Sequence, residues 1–170
     1  MSALTLPLAL PMAGAGKGIA AQARSCLTTL AAALKSRGSD RSQLLFCVVK
    51  LLDLSEKPLF NEEYSNWFGD DSTLPARAVV GVFAADLPAG ARLAISATAA
   101  LPTTVSSSAG GAIRRLQLVP GLFHLVVEFK NVYYLSGVSA ELETGEEHMP
   151  SDVGEQVVTA HQQCELLGFL

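Results

Sequence analysis

Arg77 is the residue in this chain whose type and setting best suit chemistry. It stands in Pro75-Ala76-Arg77 at the head of an apolar run. A planar guanidinium matches the two oxygens of a carboxylate bidentately. An arginine at a strand start also serves on an ordinary surface or in an ion pair between subunits, and spacing alone does not separate these uses. Other groupings carry less. Gly14-Ala15-Gly16-Lys17-Gly18 has the composition of a phosphate loop. The first glycine of that pattern falls on Pro11, and Gly18 stands where a Ser or Thr is required, so the stretch reads as the loop before a helix. His161 and Cys164 lie three apart on one helical face, but no second pair at metal-ligand spacing joins them, and no metal is expected. Glu146-Glu147-His148 reads as a solvated loop. Cys47 lies in an apolar strand, where a thiol is buried and inert rather than nucleophilic. No Gly-x-Ser-x-Gly elbow and no Ser/His/Asp order occurs. No cofactor is expected.

Composition sets the limits around these residues. The 170 residues make one domain the default, and a chain of this length buries about 70% of its unfolded surface. Hydrophobic residues make up 49% and charged residues only 16%, against about 25% in most globular domains. Some apolar surface should therefore meet another subunit, most simply in a symmetric oligomer. With a net charge of -4 and a pI near 5.3 the chain builds no positive stripe, so nucleic acid is not an expected partner. Cys26, Cys47 and Cys164 are an odd, scattered set that suits reduced thiols in a cytoplasmic compartment. No apolar run reaches the ~18 residues that crossing a bilayer needs, so no membrane partner is expected. The apolar N-terminus lacks a basic region and is broken by Pro7 and Pro11, unlike a cleaved signal.

The elements that must position these residues follow from periodicity. Ile19, Ala23, Cys26, Leu27, Leu30 and Leu34 form one stripe and predict a helix that Gly38 can end. Leu44 to Leu52 predicts a strand buried on both faces. Asp53 or Ser55 can start a second helix carrying Phe60, Tyr64, Trp67 and Phe68, with Gly69 as its stop. Ala78–Phe83 and Arg92–Thr98 predict strands joined by a turn at 86–90. Residues 101–112 read as a linker. Arg114–Leu118, Leu122–Phe129 and Val132–Ser136 predict further strands, the last two joined at Lys130-Asn131, and 143–145 is a turn. Val153–Leu167 predicts another amphipathic helix. The two long helices align, Gln22 over Gln156, and the same offset lays Ser2 on Ser136, an internal repeat.

Residues Ile19 to Ala99 resemble the reactive-intermediate deaminase family, also called Rid or YjgF. The matching pieces are IAAQARSCLTTLAAALKSRG, VVKLLDLSEKPLFNEEYSNWFG, LPARAVVGV and LPAGARLAISATA, in order over about 80 residues. The resemblance implies an α+β fold: a mixed, mainly antiparallel six-stranded sheet with two or three helices on one face. Residues 121–152 resemble the segment that precedes the first helix in the family, so the chain reads as permuted or as a piece of a tandem pair. On that basis 1–170 is expected to be a single Rid-like domain. Its core is 15–100, strands in 113–137 complete the sheet, and 153–167 adds a helix.

The resemblance also implies a homotrimer with ligand clefts between subunits, and hydrolysis of carboxylate-bearing imines and enamines derived from amino acids. Arg77 then matches the carboxylate-binding arginine, Asn61 a polar position near the cleft, and Ser136-Gly137 the family's Ser-Gly. Each also has a plain structural use, as a cap, a helix-surface group or a strand end. Phe123 stands at the family's tyrosine and His124 at the serine after it. Val138 replaces a glutamine. The glutamate that positions water on the last strand is replaced by Ala94, the next carboxylate slot is Ser96, and His124 is the substitute base, its pKa being near neutrality. Lone strand histidines are more often structural. Two functions follow: a cofactor-free imine deaminase, or a Rid-like module that binds carboxylates or assembles without turnover. The acidic pI argues against ribonuclease activity.

Overall fold

Apolar periodicity builds the first layer. The computed structural model describes residues 2–101, 112–119, 122–137 and 158. α1 (Ile19–Lys35) buries the predicted stripe, with Ala23, Cys26 and Leu34 fully enclosed. α2 (Lys57–Phe68) follows a short turn in which the Asp53 carboxylate accepts from Ser55 N at 2.9 Å, and it has proline in its first turn. It ends at Gly69, whose φ of +65° is the left-handed cap that glycine adopts without a Cβ penalty. The two helices pack together and share the Arg24–Glu63 ion pair.

They lie on a four-stranded sheet ordered β1-β4-β2-β3, made of β1 (Ser2–Thr5), β2 (Leu44–Leu51), β3 (Ala76–Gly81) and β4 (Leu93–Leu101). β2 and β3 are parallel, with α2 as their crossover; the other pairs are antiparallel. β1 is a strand that periodicity does not reveal. It has only four residues, Ser-Ala-Leu-Thr, and ends at Thr5, two residues before Pro7. Leu93, Ile95, Ala97 and Ala99 alternate toward the helices with Cys47, Val49 and Leu51. A bulge between Leu44 and Phe46 turns Leu45 and Phe46 the other way.

β5 (Arg114–Val119), β6 (Phe123–Phe129) and β7 (Val132–Leu135) form an antiparallel sheet of their own. The fold class is as expected, α+β with helices on one face, but the strands divide between two sheets instead of filling one of six. Where residues 113–137 are expected to extend the first sheet by hydrogen bonding, they cover the face away from the helices. Val127 and Phe129 are packed there against Leu45, Ala76 and Ala100. Burial of each such side chain is worth about 1.5–3 kcal/mol. This cover is why β2 is apolar on both faces.

Met1–Ser136 forms one unit and Gly137–Leu170 a second. The 143–145 turn, the helix at 153–167 except Val158, which is helical and exposed, and nearly all of the 101–112 linker lie outside the described residues.

Candidate functional site

β3 decides where Arg77 points. Ala76 joins the cluster under β6, so alternation sends Arg77 to the helix side, beside its register partner Cys47. There α2 offers Phe60 and Tyr64, one turn apart on its buried face. The guanidinium carbon lies 4.6 Å from the Tyr64 ring centroid and 5.9 Å from that of Phe60. Phe123, at the start of β6, supplies a third ring at 5.4 Å. Arg77 is 2% exposed. Its Nε and Nη1 are buried without a hydrogen-bond partner. No carboxylate among the described residues pairs with it.

The electrostatics follow from this burial. Desolvation lowers the Arg77 pKa, and the Tyr64 and Cys47 side chains oppose the shift. The group stays a cation, since arginine does not lose its proton in proteins. Burial pushes the Cys47 thiol up to about 12 and raises Tyr64 well above its ordinary value. Each perturbs the other, yet the Tyr64 hydroxyl reaches no partner at hydrogen-bond geometry. At neutral pH the site is one positive charge among a thiol and three rings, one of them the Tyr64 phenol. A buried charge of this kind is costly unless something pairs with it.

Ser136 and His124 bind β6 and β7 to the strand that carries Arg77. Arg77 N donates to Ser136 Oγ at 2.8 Å, and that hydroxyl donates to His124 O at 2.7 Å. His124 N donates to Pro75 O at 3.2 Å. His124 Nδ1 lies 2.8 Å from Leu74 O, which only accepts, so Nδ1 carries the proton and Nε2 the lone pair. Burial lowers the His124 pKa, and Arg115 lowers it further. The same carbonyl accepts from Arg115 Nε at 3.2 Å.

Of the residues singled out in the sequence, Arg77, Phe123, Ser136 and His124 come together. Asn61 sits beside Phe60 on α2, half-buried, with an Oδ1 that is buried and unpartnered. Gly137 opens the second unit and is exposed. Tyr64 and Phe60, which periodicity assigns to the core, are core residues and the cage as well; only the spatial approach of β3 gives them the second role. Ala94 pairs with Lys50 and, by alternation, faces away from the helices, on the side opposite Arg77. An acid at position 94 would not serve the Arg77 of its own protomer. Among the described residues no group of acidic, His or Cys side chains could hold a metal, and no helix is long and apolar enough to cross a membrane. His161 and Cys164 lie outside them. An open hollow of about 490 Å³ lined by Leu52–Leu54 and Gly81–Phe83 lies at the far end of β2 and β3, away from the cage.

The profile of a family described as Endoribonuclease L-PSP matches residues 7–101. The chain belongs to the L-PSP family. L-PSP relatives include bovine 2-iminobutanoate/2-iminopropanoate deaminase, 35% identical over 91 residues, a match covering 53% of this chain and 64% of that protein. The human protein of the same name is 35% identical over 82 residues, covering 48% and 57%. The chain thus spans about three fifths of the curated relatives it matches. The solved L-PSP-type folds agree. The yjgF gene product of E. coli superimposes with a TM-score of 0.52 at 26% identity, covering 57% of this chain and 79% of that one. A YjgF-family protein from Neisseria meningitidis gives 0.54 at 25% identity, covering 60% and 82%. These are the Rid/YjgF proteins that residues 19–99 resemble.

Proposed function

We propose that this L-PSP chain binds small carboxylates through Arg77, and that its ligands are 2-imino acids or the 2-keto acids they yield. One observation carries the reading: a buried guanidinium whose Nε and Nη1 have no partner. A carboxylate would supply two acceptor oxygens and the missing charge at once. The three rings suit a short apolar chain behind the carboxylate. The names of the matched relatives support the imino-acid class. The reaction would add water across C=N and release ammonia, giving a 2-keto acid without a cofactor. A homotrimer with Arg77 at a junction of protomers is part of this proposal, supported by the low share of charged residues.

A second reading, binding without efficient turnover, has its own support. Cys47 and Tyr64 are held neutral, Nδ1 of His124 is committed to a carbonyl, and position 94 is alanine. Among the described residues around Arg77, that leaves the Nε2 lone pair of His124, on a buried imidazole whose lowered pKa makes it a weak base, as the group that could take a proton from water at pH 7. The test is calorimetry with 2-oxobutanoate, together with hydrolysis of an imine generated by an amino-acid oxidase, on wild type and Arg77→Lys. Binding that falls at least tenfold in the variant is expected, since lysine cannot reproduce the fork. Unchanged binding would clear Arg77 of the role. Hydrolysis lost in step with binding would favour the enzyme over the module.

A further inference from the structure

Two properties of Arg77 pull in opposite directions: its Nε and Nη1 donors are unpaired, yet the residue is 2% exposed. A ligand can reach it only if a wall moves. Cys47 belongs to β2, an interior strand of the sheet, and Phe60 and Tyr64 belong to the fully buried face of α2. Neither gives way without opening the core. The third wall differs. β6 and β7 are not hydrogen-bonded into the same sheet as β3. At the end nearer their turn they are held by apolar packing of Val127 and Phe129. At the other end, over Arg77, they are held by polar ties: His124 N to Pro75 O, His124 Nδ1 to Leu74 O, and Arg77 N to Ser136 Oγ.

We propose that this end of the β6–β7 hairpin is a lid over Arg77, hinged on Val127 and Phe129 and latched by the Ser136 hydroxyl. That single hydroxyl accepts from Arg77 N and donates to His124 O, so it ties both strands of the lid to the strand that carries the arginine. With the lid shut, Phe123 covers the guanidinium and the Ser136 proton is spent on a carbonyl. With it open, Nε and Nη1 face an entering carboxylate. Ser136 is therefore a positioning residue that sets how often the site is available. A site open only part of the time binds with an affinity reduced by that fraction. The inference rests on Arg77 being a ligand anchor.

The test uses the full chain and two readouts. The first is the rate at which phenylglyoxal, an arginine reagent, modifies Arg77, followed by mass spectrometry. The second is the affinity for 2-oxobutanoate. Ser136→Ala removes two hydrogen bonds from the latch and should speed labelling about tenfold and tighten binding by a similar factor. Ser136→Thr keeps the hydroxyl and should return labelling to the wild-type rate. Phe123→Ala should speed labelling with the latch intact, and it answers the question if Ser136→Ala fails to fold. Amide exchange across β2 controls for global opening. Labelling unchanged in both alanine variants overturns the lid. Weaker binding in Ser136→Ala at an unchanged labelling rate also overturns it, making Ser136 a direct ligand contact. Faster labelling with no 2-oxobutanoate bound by any variant supports the lid and removes the carboxylate reading alone.

Discussion

Replacing Arg77 with methionine should make the protein more stable while abolishing its ligand binding. The side chains are similar in volume, so the change removes charge without opening a large cavity. The buried Nε and Nη1 lack partners, and each unmade hydrogen bond costs about 1–3 kcal/mol. Against this stand the rings: Tyr64 at 4.6 Å is well placed, while Phe123 at 5.4 Å and Phe60 at 5.9 Å are near the limit of the attraction. Together they return about 2–3 kcal/mol. At the middle of these ranges the balance favours Arg77→Met by about 1–2 kcal/mol, comparable with what is found when buried ion pairs are exchanged for apolar groups. In a chain of this size that raises the melting temperature by roughly 2–8 °C. Urea unfolding followed by circular dichroism measures it. A variant no more stable than wild type would show that the folded chain already satisfies the guanidinium, and the case for a missing anion would collapse.

Other outcomes follow from the same geometry. Burial holds the His124 pKa below its ordinary value near 6.5, so the folded state binds the proton less readily than the unfolded chain. The stability this gives is complete above 6.5 and declines as pH falls through the depressed folded value. His124→Asn should flatten that part of the pH–stability curve, and an unchanged slope would acquit the residue. Cys47, fully buried with its thiol pushed up to about 12, should resist iodoacetamide at pH 8 until the chain unfolds. Alkylation of native protein, located by mass spectrometry, would contradict the enclosure described for β2.

Much of the frame is legible in the residue pattern because its signals are local. The stripes of α1 and α2 and the apolar run of β2, interrupted by Lys50, each announce an element from nearby residues. β1 escapes, since Ser-Ala-Leu-Thr has too few positions to display alternation and becomes a strand only by pairing with β4. The division into two sheets is equally hidden. A strand such as Phe123–Phe129 shows the same residues whether it extends a sheet or lies across its face, and only long-range register distinguishes them. The run of β2 does say that something must cover its second face. Arg77 stands out by type, and Ser136, His124 and Phe123 through the family resemblance. Their meeting with Phe60 and Tyr64 depends on a parallel crossover that no single segment encodes.

The rings on α2 continue past the cage. Tyr64 meets Phe68 at a tilt with ring centroids 4.8 Å apart, and Phe68 meets Trp67 edge-on at the same separation. Trp67 is the sole tryptophan of the chain. The protein thus contains its own fluorophore, joined to the cation through two intervening aromatic contacts. Occupancy near Arg77 becomes an optical quantity: titration can be followed in intrinsic emission, without dye or label, and attributed to one indole.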